Sequence, residues 1–214
     1  MSIVLPDMFE IMIKMAIKYP DYGILSPLHL SGSGIQFDSR FFRYLLNGSP
    51  EFVHDLIKRQ SLKQIYPLYF VNAAFWLLSR ECLEKVGGFN PIFFHRGEDD
   101  DYCNRTLYSG LKIGICPAAV GLHFRENRTE HSTYSNCIAL RRKEIIVDLK
   151  NPYRKFNSVF ISILYRNLIV SLLSLIRFQF KIFLIHLELI VFMLRNYWKI
   201  KRSSGRGFSS EGNK

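Results

Sequence analysis

The sequence predicts an α/β body over residues 1–125, followed by C-terminal helices. Helical and strand-like patterns alternate through the body, which is the order expected of an α/β layer structure. The charges divide at a similar place, because residues 1–140 carry 14 Lys/Arg and 14 Asp/Glu whereas residues 141–214 carry 15 and 4. The C-terminal third therefore holds the whole net charge of +11. This excess indicates an anionic partner, either membrane headgroups or nucleic acid.

The elements of the body can be assigned in order. Residues 7–18 carry apolar side chains at helical spacing and predict the first helix, and residues 23–28 fit a short buried strand. Residues 68–78 form a continuous apolar run, which predicts a single strand covered on both faces. Asn72 is the polar side chain of that run. A short helix is predicted at residues 80–86.

The next stretch holds four consecutive acids, at positions 98–101, directly after an aromatic run and Gly97. The unpaired N–H groups and the dipole at the start of a helix lower the cost of such a charge cluster. The pattern therefore predicts a helix that begins at the acids and is capped by Gly110. Acids are also common at helix starts that have no function, so the charges alone leave both interpretations open.

Two extended segments follow, at residues 112–117 and 118–124, and the second carries His123. Residues 126–156 are predicted to be a polar connector with a short helix near 138–150. The four cysteines include no CxxC pair, and the N-terminus lacks the pattern of a secretory signal. Both observations favour reduced, mostly buried thiols in a cytosolic protein.

Residues 157–202 are predicted to form amphipathic, membrane-associated helices, and residues 203–214 a disordered basic tail. The charges within the helices are Arg166, Arg177, Lys181, Glu188 and Arg195. No charge-free run reaches the roughly 20 residues of a spanning helix. On one continuous helix these charges fall within roughly 60° of one another, so the helix would lie in a membrane interface. The alternative is a helical hairpin that is broken near Phe178 and closes over the body.

Three segments of the body carry a resemblance to a known family. They are the strand, helix and Gly-Gly-Phe turn of residues 72–89, the acidic motif FFHRGEDDDYCNR of residues 93–105, and the extended segment that ends at His123. Together with residues 4–30, they resemble the C-terminal half of family 2 glycosyltransferases, the inverting GT-A enzymes, and in particular the rhamnosyltransferase-like bacterial members. The resemblance implies a partial GT-A sheet that lacks its N-terminal Rossmann-like half.

The resemblance also implies roles for individual residues. In an inverting transfer, a carboxylate takes the proton from the acceptor hydroxyl as that hydroxyl attacks the anomeric carbon. By its position in the motif, Asp99 would be this base, with Glu98 beside it shaping the acceptor site. The residues placed in the substrate pocket are Asn72, Trp76, Asp101 and Arg105. For Trp76 a core role is the alternative, and Asp101 and Arg105 also have the spacing of a helical ion pair.

The resemblance further implies a divalent metal ion, Mg²⁺ or Mn²⁺, on the nucleotide diphosphate, with His123 as a ligand. The family's Asp-x-Asp metal motif does not precede the matching segment in this sequence. We therefore expect a truncated or split enzyme, whose complementing N-terminal half would be a partner.

The expected function is transfer of a sugar from a nucleotide-sugar donor to a glycan or lipid-linked acceptor in surface polysaccharide synthesis. The expected location is cytoplasmic and peripheral, at the anionic inner face of the cell membrane. The alternative is a non-catalytic, membrane-associated remnant or scaffold that keeps the fold without binding a donor. Nucleic acid is not expected as a partner, because the positive residues of the tail alternate with bulky aliphatic side chains.

Overall fold

The computed structural model describes residues 2–94, 96–124 and 134–203. Its described residues form a mixed α/β structure, as the sequence predicts. The strands are β1 (Ser2–Val4), β2 (Tyr22–Ser31), β3 (Tyr66–Leu68), β4 (Leu77–Leu78) and β5 (Lys112–His123). The helices are α1 (Met8–Lys18), α2 (Ser39–Gly48), α3 (Pro50–Ile57), α4 (Arg80–Val86), α5 (Glu98–Tyr108), α6 (Tyr134–Lys150), α7 (Phe156–Ile176) and α8 (Phe180–Arg202).

The chain divides into two compact units, which we describe separately. The sheet unit contains the described residues of Met1–Gly88 and Tyr102–Thr129. The helical unit contains those of Phe89–Asp101 and Glu130–Gly205. The acids at the start of α5 therefore belong to the helical unit, although the sequence places them within the α/β body.

Strand β5 is the centre of the sheet. It pairs in parallel with β2, and on its other edge it pairs antiparallel with β1 and with β3. Strand β4 adds to the far edge of β2. The register slips between Pro27 and Leu28, which pair with Cys116 and Val120. Pro117 lies in the residues that bulge out, and because proline has no N–H to donate, a bulge is where a strand accommodates it.

The single strand predicted over residues 68–78 is wrong. Strands β3 and β4 occupy only its two ends, and they pair with different strands, β5 and β2. The eight residues between them turn back on themselves, and the N–H of Ala74 donates to the Asn72 carbonyl at 2.8 Å. Val71 and Phe75 are nevertheless buried. A continuous apolar run reports burial, and burial does not distinguish a strand from a buried loop.

The two predicted segments at 112–117 and 118–124 form one long strand, β5. Around the sheet, aromatic and aliphatic side chains form two clusters. One is built on Phe41, Phe52, Tyr66 and Tyr102, and the other on Met8, Met12 and Phe75. These contacts fix α1 and α2 on the sheet.

The helical unit contains α6, α7 and α8, so the predicted C-terminal helices are present. The continuous charged stripe is wrong, because the helix is interrupted at Phe178, whose φ of 55° is left-handed. α7 and α8 then run antiparallel, since Asn157 contacts Tyr197 and Asn167 contacts His186. The alternative of a hairpin broken near Phe178 describes this part of the chain. The predicted disordered tail lies outside the described residues, apart from Ser203.

Candidate functional site

His123, the predicted metal ligand, ends strand β5 and faces a buried aspartate. Asp38 is the N-cap of α2, and its Oδ1 accepts the main-chain N–H groups of Arg40 and Phe41 at 3.0 and 2.9 Å. Its Oδ2 lies 3.3 Å from His123 Nδ1, and the two side chains are 3% and 10% exposed. One aspartate therefore starts a helix and holds the histidine at the end of the neighbouring strand.

A second histidine supports this arrangement. The ring of His29 is fully buried and stacks on Phe41 with centroids 4.1 Å apart. It also stands perpendicular to the His123 ring at 6.2 Å. Its Nε2 lies 2.9 Å from the hydroxyl oxygen of Ser26. Packing and this hydrogen bond fix His29, and its ring packs against one side of the His123 ring.

The described residues do not fit a metal centre held by protein side chains. They contain no group of three or more His, Cys, Asp or Glu residues arranged to hold an ion. His123 and Asp38 supply two groups, and Asp38 already accepts two main-chain N–H bonds. Divalent ions such as Mg²⁺ take about six ligands at short, fixed distances. The metal role of His123 stays a prediction, and we assign no step to an ion.

Asn72 lies on the buried loop between β3 and β4. Its side chain is 4% exposed, and neither Oδ1 nor Nδ2 makes a hydrogen bond to the described residues. Burial of an amide without a partner costs about 1–3 kcal/mol for each group left unsatisfied. Such groups are rare in folded proteins and need an explanation, such as a ligand or an ordered water. Asn72 is therefore a buried polar group in an apolar loop, and its amide could bond to a ligand or to an ordered water.

Arg105 clamps the turn after α4. Its two terminal nitrogens donate to the main-chain carbonyls of Val86 and Gly88 at 2.6 and 3.0 Å. Its guanidinium also lies over the ring of Tyr102, 5.0 Å from the centroid. The Tyr102 hydroxyl donates to the carbonyl of Gly87 at 3.0 Å. Residues of α5 thus fix three consecutive carbonyls, which the sequence did not predict because the acceptors are main-chain atoms.

Trp76 packs in the same region. Its ring centroid lies 5.6 Å from that of Tyr102, and it contacts the apolar cluster of the sheet unit. Trp76 is only partly buried. The packing agrees with the core alternative for Trp76 and leaves its predicted substrate contact untested.

The acids follow a turn with two left-handed residues. Arg96 has a φ of 72° and Gly97 a φ of 91°. A Cβ on Gly97 would lie 3.0 Å from atoms of Phe93 and of Val147, so the position needs glycine for space as well as for conformation. Arg96 has no such freedom, and a left-handed arginine costs of order 1 kcal/mol or more. Such local strain is concentrated at functional sites in proteins.

The four acids occupy the first turn of α5, as predicted, but their surroundings differ. Asp101 is 2% exposed, Glu98 and Asp99 are partly buried, and Asp100 is exposed. Desolvation by surrounding atoms raises the pKa of Asp100, and the charge of Glu98 adds to the rise, whereas a hydrogen bond from its own main-chain N–H opposes it.

Lys143 of α6 lies close to this turn in the helical unit. Burial lowers the pKa of its ammonium group, the charge of Glu98 acts against that change, and Arg96 adds to it. One oxygen of Glu98, Oε2, is buried without a hydrogen bond to the described residues. The acidic turn is therefore partly compensated by cations and is not a simple solvated cluster.

The predicted site residues fall in both units. Asn72, Trp76, Arg105 and His123 belong to the sheet unit, and Glu98, Asp99 and Asp101 to the helical unit. Sequence reasoning missed the residues that position them, which are His29, Asp38, Arg96 and Lys143. The N-cap pattern of Asp38, an aspartate directly before a helix, was the one signal present in the sequence.

Neither a family model, nor a curated protein, nor a solved structure matches the chain.

Proposed function

We propose that this chain is the acceptor-side part of an inverting glycosyltransferase with a GT-A type of sheet. It would act on a nucleotide-sugar donor and a glycan or lipid-linked acceptor at a membrane surface. The observation that carries the proposal is Asn72, a buried amide whose donor and acceptor atoms both lack a hydrogen bond to the described residues. Sugar hydroxyls both donate and accept hydrogen bonds, so a carboxamide in an apolar loop suits an acceptor sugar.

The acidic turn supports the chemical part of the proposal. Attack by a sugar hydroxyl needs a carboxylate within hydrogen-bond reach to take its proton. Asp99 is in the first turn of α5, where the helix dipole favours the ionised carboxylate. The Arg96–Gly97 turn fixes the direction from which the chain enters that helix. Asp99 is the proposed base, and Glu98 and Lys143 set the charge around it.

The helical unit supports the membrane part. In the second half of α7 the buried side chains are Asn167, Ser171 and Ser174, and all three are polar. The exposed side chains over the same turns are apolar, and they are Leu168, Ile169, Leu172, Leu173, Leu175 and Ile176. Helices packed in membranes use small and polar residues at their contacts and present apolar residues to lipid.

The length and composition of α7 also agree with contact between this helix and lipid. Among the described residues, α7 is the one helix long and apolar enough to cross a membrane, with a mean hydropathy of 2.0 over its best window. Only 28% of that window is buried, so the helix is not the enclosed core of a water-soluble bundle. We propose that α7 and α8 seat the chain on a membrane, where a lipid-linked acceptor would be found.

The substrate role of Asn72 can be tested with Asn72→Leu, measured for stability and for acceptor binding. An unsatisfied amide costs free energy, so leucine of similar size should leave the unfolding midpoint unchanged or raise it. Binding of short-chain lipid-linked oligosaccharides, followed by saturation-transfer NMR, should fall by about tenfold or more. Asn90→Leu is the matched control, because Asn90 is equally buried but its Oδ1 accepts the Ile92 N–H. That control should destabilise the protein.

Two further outcomes decide the function. When the complementing N-terminal half is supplied together with a panel of UDP-, GDP- and dTDP-sugars, Asp99→Asn should abolish sugar transfer while acceptor binding is kept. The exposed Glu144→Gln should leave both transfer and binding unchanged. Turnover by Asp99→Asn would overturn the assignment of the base. If the wild-type chain binds no glycan and no nucleotide sugar, the alternative of a non-catalytic scaffold replaces the enzyme.

A further inference from the structure

The helical unit contains a polar groove that the proposed function does not use. It lies along the first half of α7 and the segment that precedes it, with a volume of about 430 Å³. Its polar lining consists of three cations, one acid and two hydroxyls: Arg154, Lys155, Arg166, Asp148, Ser158 and Ser162. The lining therefore carries an excess of two positive charges.

The polar residues of α7 in this groove form a single stripe. Lys155, Ser158, Ser162 and Arg166 are spaced by three, four and four residues, which places them on one face of the helix. Around this stripe α7 exposes apolar side chains, among them Ile161 and Tyr165. The polar stripe thus runs from the basic start of α7 along a helix whose other exposed side chains are mainly apolar.

The cations of the groove are available for a ligand. The side chains of Lys155 and Arg166 make no ion pair or hydrogen bond with the residues that the structure describes. Arg154 lies 3.5 Å from Asp148, and both side chains are about half exposed. An exposed pair of this kind contributes little, so Arg154 can turn to another anion. At the α7 N-terminus, at Lys155, no side chain of the described residues caps the first N–H groups, and these favour an anion.

We infer that this groove binds the phosphate group of a membrane lipid headgroup. Phosphate accepts hydrogen bonds from an arginine fork, an ammonium, hydroxyls and helix N–H groups, and the groove offers all four. Arg166 lies ten residues into α7, about 15 Å along its axis. An arginine on a membrane-associated helix turns its guanidinium toward the headgroups, and here Ser162 and Ser158 lie between Arg166 and the start of α7. The inference rests on the proposed membrane seating.

The test uses the full chain and vesicles of three compositions: phosphatidylcholine alone, with phosphatidic acid, and with phosphatidylserine. The double variant Lys155→Gln/Arg166→Gln removes two groove cations. Lys181→Gln/Arg195→Gln is the matched control, because it removes the same two charges from exposed positions of α8 outside the groove. Circular dichroism and the unfolding midpoint confirm that both variants fold.

We expect the groove variant to lose about tenfold in sedimentation with phosphatidic acid vesicles, and the control to lose about twofold. Ser158→Ala/Ser162→Ala, which changes no charge, should also weaken this binding. Equal losses in the two charge variants would overturn the site and leave only general attraction to the surface. Failure of the wild-type chain to bind any vesicle would instead overturn the membrane seating.

A further arm separates the two sources of phosphate. Isothermal titration calorimetry with inorganic phosphate and with pyrophosphate, without vesicles, should show no groove-dependent heat. Binding of either anion that is lost in Lys155→Gln/Arg166→Gln would assign the groove to a soluble phosphate and overturn the lipid headgroup as its ligand.

Discussion

Helix α2 of the sheet unit and the second half of α7 use the same helical geometry with opposite polarity. α2 buries Phe41 and Leu45 and is capped by the carboxylate of Asp38. α7 buries Asn167, Ser171 and Ser174 there and exposes leucine and isoleucine. An apolar buried face, as in α2, is typical of helices in water-soluble proteins, and a polar buried face, as in this half of α7, is typical of helices packed in membranes. The two regions therefore bury side chains of opposite polarity, although the chain is nearly half apolar overall.

The difference also bears on the predicted interfacial helix. The charged stripe was predicted for one continuous helix. The break at Phe178 leaves Arg166 on α7 and Arg177 at its C-terminal end, and the other three charges lie on α8. Arg166 is the charged residue of α7, and the side chains that this helix exposes after Arg166 are apolar. The proposed lipid contact rests on the exposed leucines and isoleucines of α7, and it does not require a charged stripe.

The largest expected effect is on thiol reactivity, which compares burial in the two units directly. Cys82, Cys103 and Cys116 of the sheet unit are buried, whereas Cys137 of α6 is exposed. Burial also raises the pKa of the Cys116 thiol to about 12, so little thiolate forms near neutral pH. Labelling of Cys137 by a disulfide reagent should be at least roughly a thousandfold faster than labelling of the other three.

A Cys137→Ser variant gives the control, since its first fast labelling phase should disappear. Rapid labelling of a second thiol in that variant would show that the sheet unit opens locally. The sheet unit would then not be the more protected region.

The next largest effect comes from removing one apolar side chain from each region. Phe41→Ala should lower the free energy of unfolding of the sheet unit by about 3–5 kcal/mol, because it leaves a cavity in the core. Leu172→Ala, in detergent, should change stability by no more than about 0.5 kcal/mol, because this side chain is exposed on α7.

The two tryptophans separate the measurements. Trp76 reports on the sheet unit in a Trp198→Phe background, and Trp198 reports on the helical unit in a Trp76→Phe background. A large loss from Leu172→Ala would show that the face is covered by protein, which would contradict lipid exposure.

Much of the fold could be predicted where local signals decide it. The bounds of α4 and the start of α5 follow from residues next to them in the chain, such as Gly97 before the acids. Local signals do not decide where a buried segment pairs, and so residues 68–78 were taken for a strand. The break at Phe178 has no proline or glycine beside it, and its left-handed residue is stabilised by the packing of α7 on α8.

The candidate site could be predicted only in its residue types. Asn72 stands out in the sequence as a polar residue in an apolar run, and the structure adds that neither of its amide atoms bonds to another described residue. The roles of Arg105 and Asp38 depend on contacts between residues far apart in the chain. Arg105 reaches carbonyls 17 and 19 residues before it, and no spacing rule predicts a main-chain acceptor at that distance.

A smaller effect should come from the polar contact inside the hairpin. The Asn167 amide donates to the Ile163 carbonyl at 2.7 Å, which orients its oxygen to accept the Nδ1–H of His186 at 2.7 Å. Asn167→Ala should lower the stability of the helical unit by about 1 kcal/mol, which is the scale of polar contacts between membrane helices. Asn196→Ala removes a similar amide, which donates to the Phe192 carbonyl of its own helix. If both variants lose equally, the interhelical bond contributes nothing.

The smallest effect concerns the stability of the sheet unit at acidic pH, which depends on a hydrogen-bonded carboxyl group. The Tyr66 hydroxyl donates to Asp55 Oδ2 at 2.7 Å, and this bond, followed by that of His54, lowers the pKa of Asp55 below its usual range. A carboxyl with a lowered folded-state pKa stabilises the fold above its unfolded pKa and loses that contribution as the pH falls through the folded value. Tyr66→Phe removes the leading cause of the shift.

The unfolding midpoint of the wild-type sheet unit, followed through Trp76, should therefore fall as the pH drops from about 5 to about 2. In Tyr66→Phe the midpoint should start lower and fall less steeply over the same range. Asp55→Asn should also show a shallow dependence, because it has no carboxyl to titrate at this position, whereas Tyr66→Phe keeps the carboxyl but lacks the leading cause of its shift. A steep pH dependence that persists in both variants would show that other carboxylates cause the acid sensitivity of the sheet unit. The hydrogen bond between Tyr66 and Asp55 would then not explain it.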